Sequence, residues 1–351
     1  MPSKAIQASS TNFQLRYMAR NTATKRSVQA APEDMQYAIV TRSTGSWYEV
    51  ELEDGQRWSC RAKGRFRIAG LRTTNPIAVG DRVGVVSDED GDEDTGMIVE
   101  LAPRRNYVLR QSPRKRHELH ILAANIDLAI LVMTVVEPML KQGLIDRFLL
   151  STEPYDIPTA LVFNKADLYD DEALGIYAAL EDLYTAIGYQ VMLVSAAENV
   201  GIDALRDLLR DKTTLISGQS GVGKSSLLNA VQPGLEARVG EISDYSGKGQ
   251  HTTTFAEMHD LAFGGKLIDT PGIKNFSFNH LQEKEVADNF REFFALSQNC
   301  RFNNCLHREE PGCAVKAAVD AGEASELRYI NYLTILQEVE DQNYWEIHTD
   351  V

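Results

Sequence analysis

Residues 218–225 read Gly218-Gln219-Ser220-Gly221-Val222-Gly223-Lys224-Ser225, which fits the pattern G-x-x-x-x-G-K-[ST]. An apolar stretch at 213–217 precedes this segment, and a helix-forming stretch that begins with Ser226 follows it. In a strand–loop–helix setting, such glycines let backbone N–H groups turn toward phosphate oxygens. Lys224 would contact the β- and γ-phosphates, and the Ser225 hydroxyl would bind magnesium. The segment, with Ser226, therefore predicts a nucleotide site rather than a simple glycine turn.

A second segment suited to phosphate and magnesium is Asp269-Thr270-Pro271-Gly272, which follows an apolar stretch at 266–268. An aspartate at a strand end can hold magnesium through water, and the Gly272 N–H can contact a γ-phosphate. Taken alone, this tetrapeptide could be an ordinary turn. Its position downstream of a phosphate loop favours a second nucleotide-binding element.

Two further segments indicate which base is bound. Asn164-Lys165-Ala166-Asp167 follows an apolar stretch at 160–163, and Ser195-Ala196-Ala197 follows another at 191–194. A carboxylate such as Asp167 can accept hydrogen bonds from both N1–H and the 2-amino group of guanine, whereas adenine has neither donor. The Ser195–Ala197 segment can add backbone contacts to the base. Together these segments predict that GTP and GDP are bound in preference to ATP.

The central part of the chain predicts an α/β fold. Short apolar stretches at 126–133, 159–163, 191–194 and 213–217 alternate with helical patterns such as 171–186 and 202–210. Strands that alternate with helices predict a parallel sheet covered on both faces. We expect this GTPase-like domain to span residues 104–278.

The preceding segment, residues 36–103, predicts an all-β domain. Strand patterns lie near 47–52, 57–61, 81–87 and 96–101, and Asp54-Gly55 is a hairpin signal. No helix-length pattern interrupts them, so we expect a small barrel of the OB type. Basic side chains lie among aromatic ones here, which suits an RNA-binding face, although solvated edge strands account for them nearly as well. The predicted RNA-binding residues are Arg61, Lys63, Arg65 and Arg67.

The last segment, residues 279–351, combines a cysteine–histidine cluster with helical patterns at 281–297 and 325–344. The cluster has the spacing Cys300-x4-Cys305-x-His307-x5-Cys313. Three thiolates and one imidazole complete a tetrahedral zinc site with no position left for water, so we expect one structural zinc ion. Buried free thiols or a disulfide are the alternatives. The fourth cysteine, Cys60, lies within a strand pattern and is expected to be a core thiol.

The order of the motifs is unusual and carries a resemblance. In most GTPases the phosphate loop comes first, followed by a switch threonine, DxxG, NKxD and SAx. Here NKAD and SAA precede the phosphate loop, and residues 249–254 and DTPG follow it. Over residues 36–320 the chain resembles the circularly permuted, ribosome small-subunit-dependent GTPases of the RsgA (YjeQ) family. The resemblance implies a late maturation factor that binds the 30S subunit and its 16S rRNA, hydrolyses GTP and departs.

The hydrolytic residue is not the usual one. The glutamine that orients water in Ras-like enzymes follows DxxG, and Ile273 occupies that place. We expect His251 to take this role, because it precedes Thr252 and Thr253, one of which would bind magnesium in the GTP state. The resembled family also has a histidine before its switch threonines. Alternatively, His251 is an exposed loop residue that contacts RNA.

Composition and charge set further limits. The chain has 351 residues and a net charge of −14, yet its first 32 residues carry five basic side chains and no acidic one. Residues 1–35 are therefore expected to form a basic arm, either RNA-binding or simply solvated. The longest apolar run, 128–136, is too short to span a membrane. With most cysteines in one cluster, the sequence favours a cytoplasmic protein, and we expect a monomer without membrane partners.

The sequence is also compatible with two other functions. One is a nucleotide-gated rRNA-binding scaffold in which hydrolysis is incidental, and a slow hydrolysis rate that RNA does not stimulate would favour it. The other is a small-molecule kinase or ATPase that uses the same phosphate loop. The NKAD segment opposes adenine, and competition by ATP would revive this possibility.

Overall fold

The computed structural model describes residues 34–62, 75–88, 94–111, 119–235, 256–269, 278 and 281–348. Two compact units divide the chain: one comprises residues 32–277, and residues 278–351 belong to the other. Of the helices in the described part of the chain, none has the length and apolar composition of a membrane span.

The first unit begins with a five-stranded barrel. Its strands are β1 (Gln36–Ser43), β2 (Tyr48–Leu52), β3 (Arg57–Ala62), β4 (Arg82–Ser87) and β5 (Thr95–Leu101). Strand β1 pairs with both β2 and β4, β2 pairs with β3, and β5 joins β3 to β4, so the barrel closes. Alternating side chains such as Val40, Val50 and Ile98 are completely buried inside it. The expected OB-type barrel is confirmed, including the β2–β3 hairpin in which Gly55 has a φ of 86°.

A mainly parallel sheet forms the rest of this unit. Strands β8 (Leu128–Met133), β9 (Thr159–Phe163), β10 (Gln190–Leu193), β11 (Thr213–Gly218) and β13 (Lys266–Asp269) run parallel in the order β10-β9-β8-β11-β13. The helices are α1 (Gly143–Thr152), α2 (Asp171–Ile187), α3 (Ile202–Leu209) and α4 (Lys224–Val231). Strands β8 and β9 are buried along their whole length, because both faces of the sheet are covered.

The barrel and the parallel sheet share one continuous sheet. Strand β12 (Glu257–Asp260) pairs antiparallel with β13 on one side and with β1 of the barrel on the other. Four side chains clamp this junction: Lys266 Nζ lies 2.6 Å from both Glu51 and Asp260, and Arg57 lies 2.9 Å from Asp260 and 3.6 Å from Glu51. The sequence analysis did not predict β12 or this union of the two sheets.

A second hairpin, β6 (Tyr107–Gln111) with β7 (Leu119–Ala124), lies between the barrel and β8 in sequence and was also missed. Just before this hairpin in sequence, Arg104 forms a buried ion pair: its guanidinium contacts both carboxylate oxygens of Asp81 at 2.6 Å. Arg104 also donates to the carbonyl of Pro76, and Asp81 accepts from the Ala78 N–H. The Arg104 side chain therefore makes structural contacts inside the protein.

The second unit contains the helices α5 (Glu283–Asp288), α6 (Arg291–Ser297), α7 (Ala314–Asp320) and α8 (Glu326–His348). The prediction of one helix at 281–297 is wrong, because the chain leaves the helical conformation at Phe290. The Phe290 ring packs against Phe293 and Tyr332, with centroids 5.4 and 5.3 Å apart, and this aromatic packing accounts for the break.

The buried Arg104–Asp81 pair provides a test of the fold. Replacing Asp81 by alanine leaves the buried guanidinium without its carboxylate, so we expect a loss of about 3–5 kcal/mol in the free energy of unfolding, measured in urea. The control is Glu53→Ala, which removes an exposed barrel pair with Arg82 and should cost less than about 1 kcal/mol. Equal effects of the two substitutions would contradict a structural role for the buried pair.

Candidate functional site

The sequence motifs meet at one edge of the parallel sheet. Because β8, β9, β10, β11 and β13 are parallel, their carboxyl ends lie on the same side. The phosphate loop follows β11, NKAD follows β9, SAA follows β10, and Asp269 ends β13. Segments more than 100 residues apart in sequence therefore form one site.

The phosphate loop has a shape that its glycines make possible. Gly221 and Gly223 have φ values of 88° and 82°, in the left-handed region that favours glycine. A Cβ atom on Gly218 would lie 2.6 Å from the Val132 carbonyl oxygen. Val222 is buried in the core and anchors the loop, while the side chains of Ser220, Ser225 and Ser226 are exposed. The loop thus leads directly into α4, whose N-terminus favours an anion.

Asn164 ties the phosphate loop to the base-binding segments. Its side chain is buried, donates to the Val222 carbonyl at 3.0 Å and accepts from the Ala196 N–H at 3.1 Å. A Cβ atom on Gly223 would lie 2.6 Å from the Asn164 amide nitrogen, so glycine is required there for the close approach. The asparagine of NKAD is therefore a structural bridge among three loops.

The groups suited to guanine are also arranged at this edge. Asp167 is exposed, and one of its carboxylate oxygens accepts a hydrogen bond from the Ser195 hydroxyl. Lys165 has a φ of 66° and donates from Nζ to the Glu137 carbonyl at 2.6 Å. With Ala197 exposed beside them, these residues leave a carboxylate accessible to a base.

Tyr169 is a supporting residue that the sequence analysis missed. Its hydroxyl accepts from the Val135 N–H at 2.8 Å and donates to the Asn164 carbonyl at 3.1 Å. Burial raises the pKa of this hydroxyl, so it remains a donor at neutral pH. An aromatic residue two positions after NKAD was the available signal, but nothing local indicated that it would fold back on Asn164.

The phosphate end of the site contains an ion pair between Lys224 and Asp269, each about one-sixth exposed. A phosphate that recruits Lys224 would release the Asp269 carboxylate for a cation. Carboxylate and hydroxyl oxygens are ligands that magnesium prefers, so Asp269 and Ser225 fit this ion. Gly272, His251, Thr252 and Thr253 lie outside the described residues, as do Lys63, Arg65 and Arg67 of the predicted RNA surface.

The remaining predicted RNA-binding residue, Arg61, lies on β3 and is exposed. Its guanidinium is 4.0 Å from the centroid of the Trp47 ring, and Trp47 is itself 38% exposed. A cation and an aromatic face are thus presented together on the barrel, a combination that can contact phosphate and stack on a base.

The four cysteine and histidine residues of the second unit form a compact cluster. The ligand atoms of Cys300, Cys305, His307 and Cys313 all lie within 4.8 Å of one another. His307 Nδ1 is 3.7 Å from Cys300 Sγ and 3.4 Å from Cys313 Sγ. Ligand separations of about 3.6 Å between nitrogen and sulfur follow from tetrahedral zinc geometry. The cluster could therefore hold a metal ion.

Neighbouring groups support the cluster. The Glu310 carboxylate accepts from the N–H groups of Leu306 and Arg308 at 2.7 Å, which fixes the loop on either side of His307. Burial raises the pKa of the Cys305 thiol to about 12, and a bound cation would compensate by stabilising the thiolate. The site is therefore chemically suited to a cation.

Comparisons with known proteins agree with this geometry. A family model described as RsgA GTPase matches residues 101–279, and one described as RsgA N-terminal domain matches residues 38–98. The chain belongs to the RsgA GTPase family. It is a circularly permuted GTPase that hydrolyses GTP, as the motif order predicted.

Individual relatives and solved structures extend the match over most of the chain. A small ribosomal subunit biogenesis GTPase RsgA of Bacteroides fragilis is 47% identical over 306 residues, covering 87% of this chain and 98% of the relative. A small ribosomal subunit biogenesis GTPase RsgA of Flavobacterium psychrophilum is 45% identical, and the match covers 89% of this chain and 96% of the relative. The crystal structure of YjeQ from Thermotoga maritima has a TM-score of 0.68 and 36% sequence identity. The match covers 87% of this chain and 98% of YjeQ. The crystal structure of YloQ, a circularly permuted GTPase, has a TM-score of 0.66 and 29% sequence identity. The match covers 90% of this chain and 99% of YloQ.

The accessible Asp167 carboxylate should determine base specificity. We expect Asp167→Asn to weaken GDP binding about 100-fold, because an amide cannot accept both guanine donors, and to improve binding of xanthosine diphosphate. Titration with fluorescent nucleotides measures both affinities. Asp182→Asn, on the exposed face of α2, is the control and should leave both unchanged.

Glu310 should control metal retention. Replacing it by alanine frees the loop around His307, so we expect metal affinity to fall about 10–100-fold in competition with a chelator. The adjacent Glu309 is almost fully exposed, and Glu309→Ala should retain the metal like the wild type. Equal retention by both variants would refute the supporting role.

Proposed function

We propose that this GTPase binds the small (30S) ribosomal subunit during late maturation, that the subunit stimulates hydrolysis of GTP, and that hydrolysis releases the protein. The observation that supports the nucleotide site is the bridge made by Asn164, which joins the NKAD segment, suited to guanine, to the phosphate loop. The names of the relatives from Bacteroides and Flavobacterium support the partner, since both are small ribosomal subunit biogenesis GTPases.

Each predicted site residue has a role in this account. The base is bound by Asn164, Lys165, Asp167, Ser195, Ala196 and Ala197, and the phosphates by the loop 218–226 together with Gly272. Lys224 leaves Asp269 to contact the β- and γ-phosphates. Ser225, Asp269 and one of Thr252 and Thr253 would hold magnesium, which neutralises phosphate charge when bound.

Hydrolysis requires a group that orients the attacking water. We assign this role to His251, because Ile273 cannot form a hydrogen bond and His251 precedes the two switch threonines. If contact with the subunit places the His251 imidazole beside the γ-phosphate, activity depends on the partner.

RNA contacts are assigned to the barrel. The exposed Arg61–Trp47 pair supports a surface that binds 16S rRNA, and Lys63, Arg65 and Arg67 continue the basic sequence. The proposed limits are a basic arm at 1–35, the barrel at 36–103, the permuted GTPase domain at 104–278 and the metal-binding helical domain at 279–351. We propose that the protein acts as a cytoplasmic monomer.

The metal in the Cys₃His cluster is proposed to be zinc with a structural role. Three thiolates and one imidazole suit zinc, and this set leaves no position for a reacting water. The DTPG segment ends 28 residues before Cys300 in sequence, so ordering of that segment by a γ-phosphate could affect the metal-binding domain. By linkage, GTP would then raise affinity for the subunit, and GDP would lower it.

Steady-state GTP hydrolysis, measured alone and with purified 30S, 50S or 70S particles, tests the function. We expect strong stimulation by 30S only and none with ATP as substrate. His251→Ala should lose most of the stimulated rate, by about 100-fold or more, while binding GTP normally. Tight GTP binding with no stimulation by any particle would favour a nucleotide-gated scaffold instead.

A further inference from the structure

A row of charged side chains crosses the junction between the barrel and the parallel sheet. Arg42 on β1 lies directly opposite Glu49 on β2 and Glu257 on β12, and Glu257 lies directly opposite Asp269 on β13. Side chains of directly opposed residues lie on the same face of a sheet, with Cβ atoms about 5 Å apart. Glu49, Arg42, Glu257 and Asp269 are hereafter called the charge row, and its last member is the magnesium-site aspartate.

We propose that Arg42 of the barrel is a positioning residue for the magnesium end of the nucleotide site and acts through Glu257. The proposal rests on the proposed role of Asp269 in that site. It assigns the barrel a direct electrostatic influence on how tightly the magnesium–nucleotide complex is held.

The contacts of Glu257 support this role. Arg42 Nη1 lies 3.2 Å from Glu49 Oε1, whereas Arg42 Nε lies 4.0 Å from Glu257 Oε2. Among the described residues, no group forms a hydrogen bond with that buried oxygen of Glu257. The negative charge of this Glu257 oxygen is therefore compensated electrostatically and not by a hydrogen bond. Within the charge row, the cation directly across from Glu257 is Arg42.

The electrostatics of the row agree with the geometry. Burial raises the pKa of the Glu257 carboxyl; the Arg42 guanidinium and, to a smaller extent, that of Arg57 oppose this shift, and the Glu49 and Asp269 carboxylates add to it. The carboxylates of Glu257 and Asp269 are thus neighbours, with Arg42 on one side of them and Lys224 on the other.

Nucleotide binding changes this balance. When phosphate recruits Lys224, the two adjacent carboxylates keep two cations on the barrel side: Arg42 in the row, and Arg57, which also pairs with Asp260. The negative charge of the two carboxylates favours binding of a divalent cation at Asp269. Arg42 weakens this effect from two strands away, a distance of about 10 Å between β1 and β13. Removing Glu257 should weaken the retention of magnesium, and removing Arg42 should strengthen it.

The experiment measures release of fluorescent GDP from the full-length protein at a series of free magnesium concentrations. The magnesium concentration that half-maximally slows release should rise about tenfold in Glu257→Gln and fall about threefold in Arg42→Gln. The double variant should lie between the two single variants. Arg42→Lys keeps the charge and should behave like the wild type.

Several results would overturn the proposal. If Arg42→Gln and Glu257→Gln change the magnesium requirement in the same direction, Arg42 merely supports the strand. If Arg42→Lys shifts the magnesium requirement as much as Arg42→Gln does, the charge of Arg42 is not the cause of the shift. Arg82→Gln, which alters an exposed arginine elsewhere on the barrel, is the control and should leave the requirement unchanged.

These outcomes are separable from the proposed function, because nucleotide release needs no ribosomal particle. A shifted magnesium requirement without 30S stimulation would retain this inference and refute the partner. Stimulation by 30S with unshifted variants would retain the partner and refute this inference.

Discussion

Parallel pairing of β8, β9, β10, β11 and β13 is the constraint on which the nucleotide site depends. Each strand delivers its following loop to the same edge, so the phosphate loop, the Asn164 bridge and the Asp269 carboxylate meet there without being close in sequence. The order of these loops along the chain is immaterial to the site. A permuted chain can therefore build the same pocket as other GTPases, provided that the strands keep their neighbours.

Permutation also changes what lies beside the site. Strand β12 follows the proposed switch segment and leads through β13 to Asp269, and it has a second neighbour in β1 of the barrel. Backbone pairing, the clamp made by Lys266, and the charge row all cross this junction. Strand β12 therefore connects the part of the chain that leads to Asp269 directly with the barrel, which is the domain proposed to contact RNA.

The sequence predicted the parts of the site that depend on local chemistry. Gly221, Gly223 and the NKAD segment could be interpreted because each requires particular residues at fixed spacing, whatever the rest of the fold. Strand β12 could not, because its four residues, Glu257–Asp260, lack apolar alternation, and its pairing with β1 joins residues some 200 positions apart. Arg104 illustrates the same limit, since its buried partner Asp81 lies 23 positions earlier in the chain. The break at Phe290 likewise depends on Tyr332, a distant aromatic residue.

We propose that nucleotide state controls association with the small ribosomal subunit. The most direct test is the affinity of the protein for purified 30S particles, measured by co-sedimentation with a non-hydrolysable GTP analogue and with GDP. The account predicts clearly tighter binding with the GTP analogue. Equal affinity in the two nucleotide states would contradict it.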